Sequence, residues 1–222
     1  FLQSEICTIN LKTMKKITLN FIAIIFSIAC FGQSFFVPTN YRGGFAPSPT
    51  PMWTDTWTNW DPQNTNYPAA NVTITTSITT NTVWTSNNTY LLQGQIYVKN
   101  GATLTIQPGT VIQGDKAVAG SGLFICQGSK LVANGNVNQP IVFTSNQAAG
   151  SRALGDWGGV ILMGKSHLNS AGGIGNIEGL TVGPDTQFGG GANPDTMDNS
   201  GILRYVRIEF PGYVYALNTE IN

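Results

Sequence analysis

The sequence predicts an all-β protein wound as a β-solenoid, and three observations carry that prediction. Between Gly94 and Gly114 apolar residues alternate with polar ones, first Ile96 and Val98, then Leu104 and Ile106. Period two marks a strand with one buried face. The turn dipeptides Asn100-Gly101 and Pro108-Gly109 split this stretch into three very short strands. The pattern then repeats: a slide of 27 residues lays Val98–Leu104 on Ile125–Leu131, Pro108-Gly109 on Gly135-Asn136 and Val111 on Asn138. A repeat of this length marks units that cannot bury an apolar face alone and must stack on one another. An antiparallel sandwich also has short strands and Gly-rich turns, but its hairpins need no such regular corner.

Composition fits an exposed all-β chain whose corners use Gly and Asn. Only 10% of the 222 residues are charged, 26 are Gly, and the formal net charge is zero. That balance shows no nucleic-acid footprint, since no basic run lies beyond Lys15-Lys16.

In chain order, residues 1–13 read as an upstream artefact, with translation starting at Met14. Met14-Lys15-Lys16 and the apolar run Ile17–Phe31 form a signal peptide over residues 14–32, too short to be a membrane-spanning helix. Cys30 and Gly32 supply the small residues for cleavage before Gln33. The rival reading makes Ser27-Ile28-Ala29-Cys30 a lipobox and Cys30 a lipidated N-terminus, although Ser27 stands where Leu is usual. Removing residues 1–32 takes away three of the 11 basic and one of the 11 acidic residues, leaving a net charge of −2. Of the three cysteines only Cys126 then remains, beside Ile125 in a strand, and it reads as a packed structural thiol.

Residues 33–81 form a Pro-, Asn- and Trp-rich leader that caps the first coil, with Trp53, Trp57 and Trp60 docked on it; the alternative is a carbohydrate-stacking platform. Within the leader, residues 72–82 alternate as a strand. The solenoid is expected over 82–222. Residues 94–145 hold two clear coils, 147–156 a loop, and Gly155–Gly164 a further buried strand where the 27-residue period breaks. Ser166–Ser200 reads as a long Gly-rich insertion of functional or flexible character. In the last strand run Val206, Ile208 and Phe210 are expected to point inward, and Tyr205, Arg207 and Glu209 outward. No polar cap follows, so the chain reads as the N-terminal fragment of a longer solenoid.

The stretch Tyr97–Ile112 resembles the first coil of secreted right-handed parallel β-helix, pectin-lyase-like proteins of Gram-negative envelopes. Gly155-Asp156-Trp157-Gly158-Gly159 and Asp198–Phe210 share the resemblance, which covers Thr82 to the end. It implies a right-handed parallel β-helix in a surface or lipid-anchored protein, often with a C-terminal sorting domain for type IX secretion that this sequence lacks. It implies little about activity.

Such helices also carry polysaccharide lyases and hydrolases. Lyases use Asp ligands for Ca²⁺ beside a base, and hydrolases use two carboxylates. Asp195 and Asp198, with Asp185, Asn193 and Asn199 nearby, offer hard oxygen donors for Ca²⁺, but without EF-hand spacing. Asp and Asn are also ordinary turn-capping residues. Arg204, Arg207 and Glu209 form either a cross-strand ion pair or a substrate-facing site. His167 reads as an exposed loop residue, and no catalytic residue is assigned. Two functions follow from these readings. The first is surface display, adhesion or glycan binding without catalysis, with polysaccharide or cell-surface glycans as partners and export machinery as a further one. The alternative is a Ca²⁺-dependent polysaccharide lyase or hydrolase. The expected location is secreted or on the outer-membrane surface, without a transmembrane segment in the mature chain.

Overall fold

The corner at Asn100-Gly101 shows why this sequence coils. Both residues sit at positive φ, 61° and 75°, and the Ala102 amide donates to the Lys99 carbonyl at 3.2 Å. That is the type I′ pattern, which Asn-Gly adopts without the steric cost other residues meet. At the next corner Pro108 precedes Gly109 at φ 81°, and the Thr110 amide closes the turn on the Gln107 carbonyl, the arrangement of a type II turn. Strands this short cannot stand alone, so each must lie on the next coil.

The computed structural model describes residues 44, 45, 47, 49–216, 219 and 220. The chain divides into two compact units, Phe1–Trp53 and Thr54–Asn222. The segment read as a signal peptide, with Cys7 and Cys30, lies outside the described residues. Among the described residues there is no α-helix, and no helix long and apolar enough to cross a membrane.

The second unit winds through four coils and into a fifth. The first contributes β1 (Val72–Ile74) and β2 (Thr82–Trp84). The second contributes β3 (Thr89–Leu92), β4 (Gln95–Val98) and β5 (Thr103–Ile106), and the third β6 (Val111–Gly114), β7 (Gly122–Ile125) and β8 (Lys130–Asn134). The fourth holds β9 (Ile141–Ser145) and β10 (Gly159–Leu162), then an insertion with the two-residue strands β11 (Gly175–Asn176) and β12 (Gln187–Phe188), then β13 (Gly201–Arg204). β14 (Val206–Ile208) opens the next coil, followed by the hairpin of β15 (Val214–Ala216) and β16 (Thr219–Glu220). Three parallel sheets result: five-stranded β1-β3-β6-β9-β14, three-stranded β4-β7-β10 and four-stranded β2-β5-β8-β13.

The register confirms part of the repeat and corrects part. Val98 pairs with Ile125 and Leu104 with Leu131, at the 27-residue offset. Val111, expected on Asn138, instead pairs with Val142. The cause is a small extra turn in the third coil, where Asn136 and Gln139 bridge antiparallel and the Gly109 amide reaches the Gln139 carbonyl. The stack also begins at Val72, which pairs with Tyr90, ahead of the expected Thr82 boundary.

Inside the coils lie fully buried Leu104, Leu131, Ile112 and Phe143. Each such side chain contributes about 1.5–3 kcal/mol through burial. Trp157, fully buried, stacks near Phe143 with centroids 6.4 Å apart, and its indole nitrogen donates to the Glu209 carbonyl at 2.8 Å. Gly114 is a requirement of this packing, because a Cβ there would collide with the Trp157 side chain. One corner is lined by a polar ladder: Gln93 and Asn146 both donate to the buried Asp115 carboxylate, at 3.0 and 2.9 Å. Beside it Asp156 accepts from Ser145 at 2.6 Å and pairs with Lys116 at 2.7 Å. Burial alone would raise the Asp156 pKa, but Lys116, Ser145 and the Ala153 amide outweigh it and hold the group below its ordinary value.

Two covers complete the fold. Residues 54–71 form a strap over the outer face of the five-stranded sheet. Arg207 on β14 approaches Trp57, Gln113 on β6 donates to the Pro68 carbonyl at 2.9 Å, and the Asn71 amide joins the Thr89 carbonyl at 3.0 Å. Residues 54–71 thus run over a flank of the coils, where the outward residues Gln113 and Glu209 give them polar partners. The insertion covers the outer face of the three-stranded sheet, packing Ile177, Leu180 and Phe188 on Phe124, Cys126, Ile161 and Met163.

Candidate functional site

Strand β14 alternates as expected, but burial does not follow the alternation. Val206 and Phe210 pack on the core, whereas Ile208 is 42% exposed on the edge strand of its sheet. Glu209 points to the outer face and is nevertheless buried, since the strap passes over it. The expected cross-strand partnership is also corrected. Arg207 and Glu209 are two residues apart on one chain, share a face, and pair with Nε to Oε1 at 3.4 Å.

The strap adds the third member. The Tyr67 hydroxyl donates to the Glu209 carboxylate, 2.9 and 3.0 Å from its two oxygens, and accepts from Arg207 Nη2 at 3.1 Å. Burial pushes the Tyr67 pKa up, the Glu209 charge adds to that, and Arg207 opposes it. Behind Tyr67, the Arg152 guanidinium lies 4.8 Å from the ring centroid and donates Nη1 to the carbonyls of Pro62 and Thr65 at 2.9 and 2.6 Å. Tyr67, Arg152 and Asn59 were not singled out by sequence. Their partners are 87 to 142 residues away or within an irregular segment, so no local spacing reveals them.

Between strap and β14 opens a cleft of about 450 Å³, lined by Trp57, Thr58, Asn59 and Pro62 on one side and by Leu154 and the run Val206–Pro211 on the other. Trp57 is half-buried, its ring edge-on to Tyr205 at 5.4 Å. Glu209 is the sole carboxylate among the described lining residues. Of Trp53, Trp57 and Trp60, Trp57 lines this cleft. Trp60 is 77% exposed outside it. Trp53 belongs to the first unit, where its indole donates to the Gly44 carbonyl at 3.0 Å and stacks on Phe45.

Of the acidic candidates Asp195 serves its own turn, whereas Asp198 and Asp185 bond to distant segments. Asp195 accepts from the Met197 amide at 2.9 Å, and Asp198 from the Lys165 amide at 2.9 Å. Asp185 pairs with Lys99 at 2.6 Å. Among the described residues no three His, Cys, Asp or Glu side chains converge where a metal could sit. His167 is exposed. Cys126 is buried, and burial together with Asp185 pushes its pKa up to about 11, so at neutral pH it is a thiol and a poor nucleophile.

Parallel coils, three stacked sheets and a lateral cleft define a right-handed parallel β-helix, the hand that parallel crossovers take almost without exception. The particular family follows from the sequence match: the model described as pectate-lyase like beta helix domain matches residues 76–222. The chain belongs to that family. No curated protein and no solved structure matches it.

Proposed function

We propose that the protein is an exported surface β-helix that binds glycan in the lateral cleft without cleaving it. The observation that carries this reading is the state of Glu209. It is the one carboxylate among the described cleft residues, and it is held by Arg207 and by the Tyr67 hydroxyl. Hydrolysis of a glycosidic bond needs two carboxylates, one to donate and one to accept a proton or attack. Trp57 supplies an aromatic ring, which suits the apolar face of a sugar, and Thr58 a hydroxyl beside it. Export is supported by Met14-Lys15-Lys16 with its apolar run, and the type IX route remains part of the proposal on the resemblance given above.

A glycan array with the secreted protein tests the binding, followed by a reducing-end and unsaturated-end assay with and without Ca²⁺. Binding that Trp57→Ala weakens at least tenfold, with no product formed, supports the reading. Product formation lost on replacing Asp195 and Asp198 by Ala makes the protein a Ca²⁺-dependent lyase or hydrolase instead. Mass spectrometry of the exported N-terminus separates a start at Gln33 from a lipid on Cys30.

A further inference from the structure

The charge of the cleft is already satisfied from within. Arg207 is the only cation among the described lining residues, and its charge is paired within the protein: Nε lies 3.4 Å from Glu209 Oε1 as an ion pair without a hydrogen bond, Nη2 donates to Tyr67, and Nη1 is 3.4 Å from the Trp57 carbonyl. Arg207 and Glu209 cancel at close range. Arg152 is 4% exposed and committed to strap carbonyls, and Arg204 stands outside the lining, its guanidinium over the Tyr205 ring at 5.4 Å. A sugar carboxylate entering the cleft would lose water and find no unpaired cation among the described lining residues, a costly transfer. The rim is meanwhile apolar. Leu154 is 87% exposed, and Pro62, Ile208 and Pro211 stand around it. Such a surface favours a sugar that carries methyl groups.

Resting on the glycan-binding reading above, we propose that the cleft selects an uncharged glycan with an apolar substituent, of the N-acetylhexosamine kind, over a polyuronate. The pairing of Arg207 with Glu209 and Tyr67 is what excludes the acidic sugar. Calorimetric titration with N,N′,N″-triacetylchitotriose and with trigalacturonate, with and without Ca²⁺, tests this directly. The expected result is binding of the first at least tenfold tighter than the second. Equal or tighter binding of trigalacturonate overturns the selectivity while leaving the glycan reading standing. Failure of both sugars overturns both.

Glu209→Gln sharpens the test. It frees the guanidinium of its counter-charge and is expected to raise affinity for trigalacturonate at least tenfold over the wild type; unchanged affinity in a folded variant removes the proposed cause. Should this variant not fold, the wild type still decides through salt. Affinity for the neutral probe is expected to stay within about twofold as the Debye length falls from about 10 to about 3 Å. A steep decline overturns the proposal.

Discussion

The outer faces of the five-stranded and three-stranded sheets are both covered by chain, but with opposite chemistry. The strap is held on the first by directed polar contacts: Tyr67 to Glu209, Arg207 to Tyr67, Arg152 to three carbonyls of the strap, Gln113 to Pro68. The insertion is held on the second mainly by apolar contact with Phe124, Cys126, Ile161 and Met163, helped by Lys99–Asp185 and by Gln127 donating to Gly164 and Gly189. Directed bonds fix the strap at one place and leave a cleft beside it, because polar partners need geometry rather than area. Apolar contact is non-directional and scales with area, so the insertion spreads over its sheet. The polar cover is therefore where a site can form, and the apolar cover is where stability accrues.

One core lies beneath both covers. Leu104→Asp attacks that core from the sheet neither segment covers. It puts a charge into a fully buried column without a partner, and we expect a loss of more than about 4 kcal/mol, with both covers released together. Urea unfolding measures it; an unchanged midpoint would remove Leu104 from the core. Phe124→Ala is next, with an expected loss of about 3 kcal/mol. Its distinguishing sign is local: limited proteolysis should cut within 166–200 while 54–71 stays protected. Arg152→Ala should show the converse, a loss of about 2 kcal/mol from hydrogen bonds to a charged donor, with cleavage moving to the strap. If either variant opened both covers equally, the two would be one cooperative unit and the contrast would fall.

The same contrast explains what the sequence revealed. Stacked coils were legible because aliphatic alternation and the Asn-Gly and Pro-Gly corners are local signals, and Val98 on Ile125 and Leu104 on Leu131 follow from them directly. The period failed at Val111 because an extra turn of a few residues, Asn136–Gln139, has no hydrophobic signature of its own. In the insertion Ile177, Leu180 and Phe188 are spread among glycines and show no period, so their common face emerges only from the sheet beneath. The cleft was least legible. Arg207 and Glu209 were visible as an outward pair, but Tyr67 joins them across 142 residues of sequence. Trp57 likewise meets Tyr205, in the fourth coil's last corner, across a separation that no local spacing reveals.

The smallest effect, and the one that separates the covers most finely, is alkaline pH. Cys126 under the insertion has its pKa raised from 9.0 to about 11 by burial and by Asp185. Tyr67 on the strap is raised above its ordinary 10.0, again by burial first and then by Glu209. For an acid whose folded pKa is raised, the stabilisation is intact below the unfolded pKa and disappears as pH climbs through the folded one. The apolar cover should therefore weaken from about pH 9, by about 1 kcal/mol at pH 10 from the thiol alone. The polar cover should not begin to weaken until above about pH 10. Hydrogen exchange of the insertion amides is expected to accelerate at pH 9–10 before that of the strap, once the intrinsic pH dependence is divided out. Cys126→Ala should abolish the early phase, because the group that titrates is gone while most of the packing stays. If the strap loosened first, or if the alanine variant kept the early phase, the thiol would not be the group that sets the alkaline limit of the insertion.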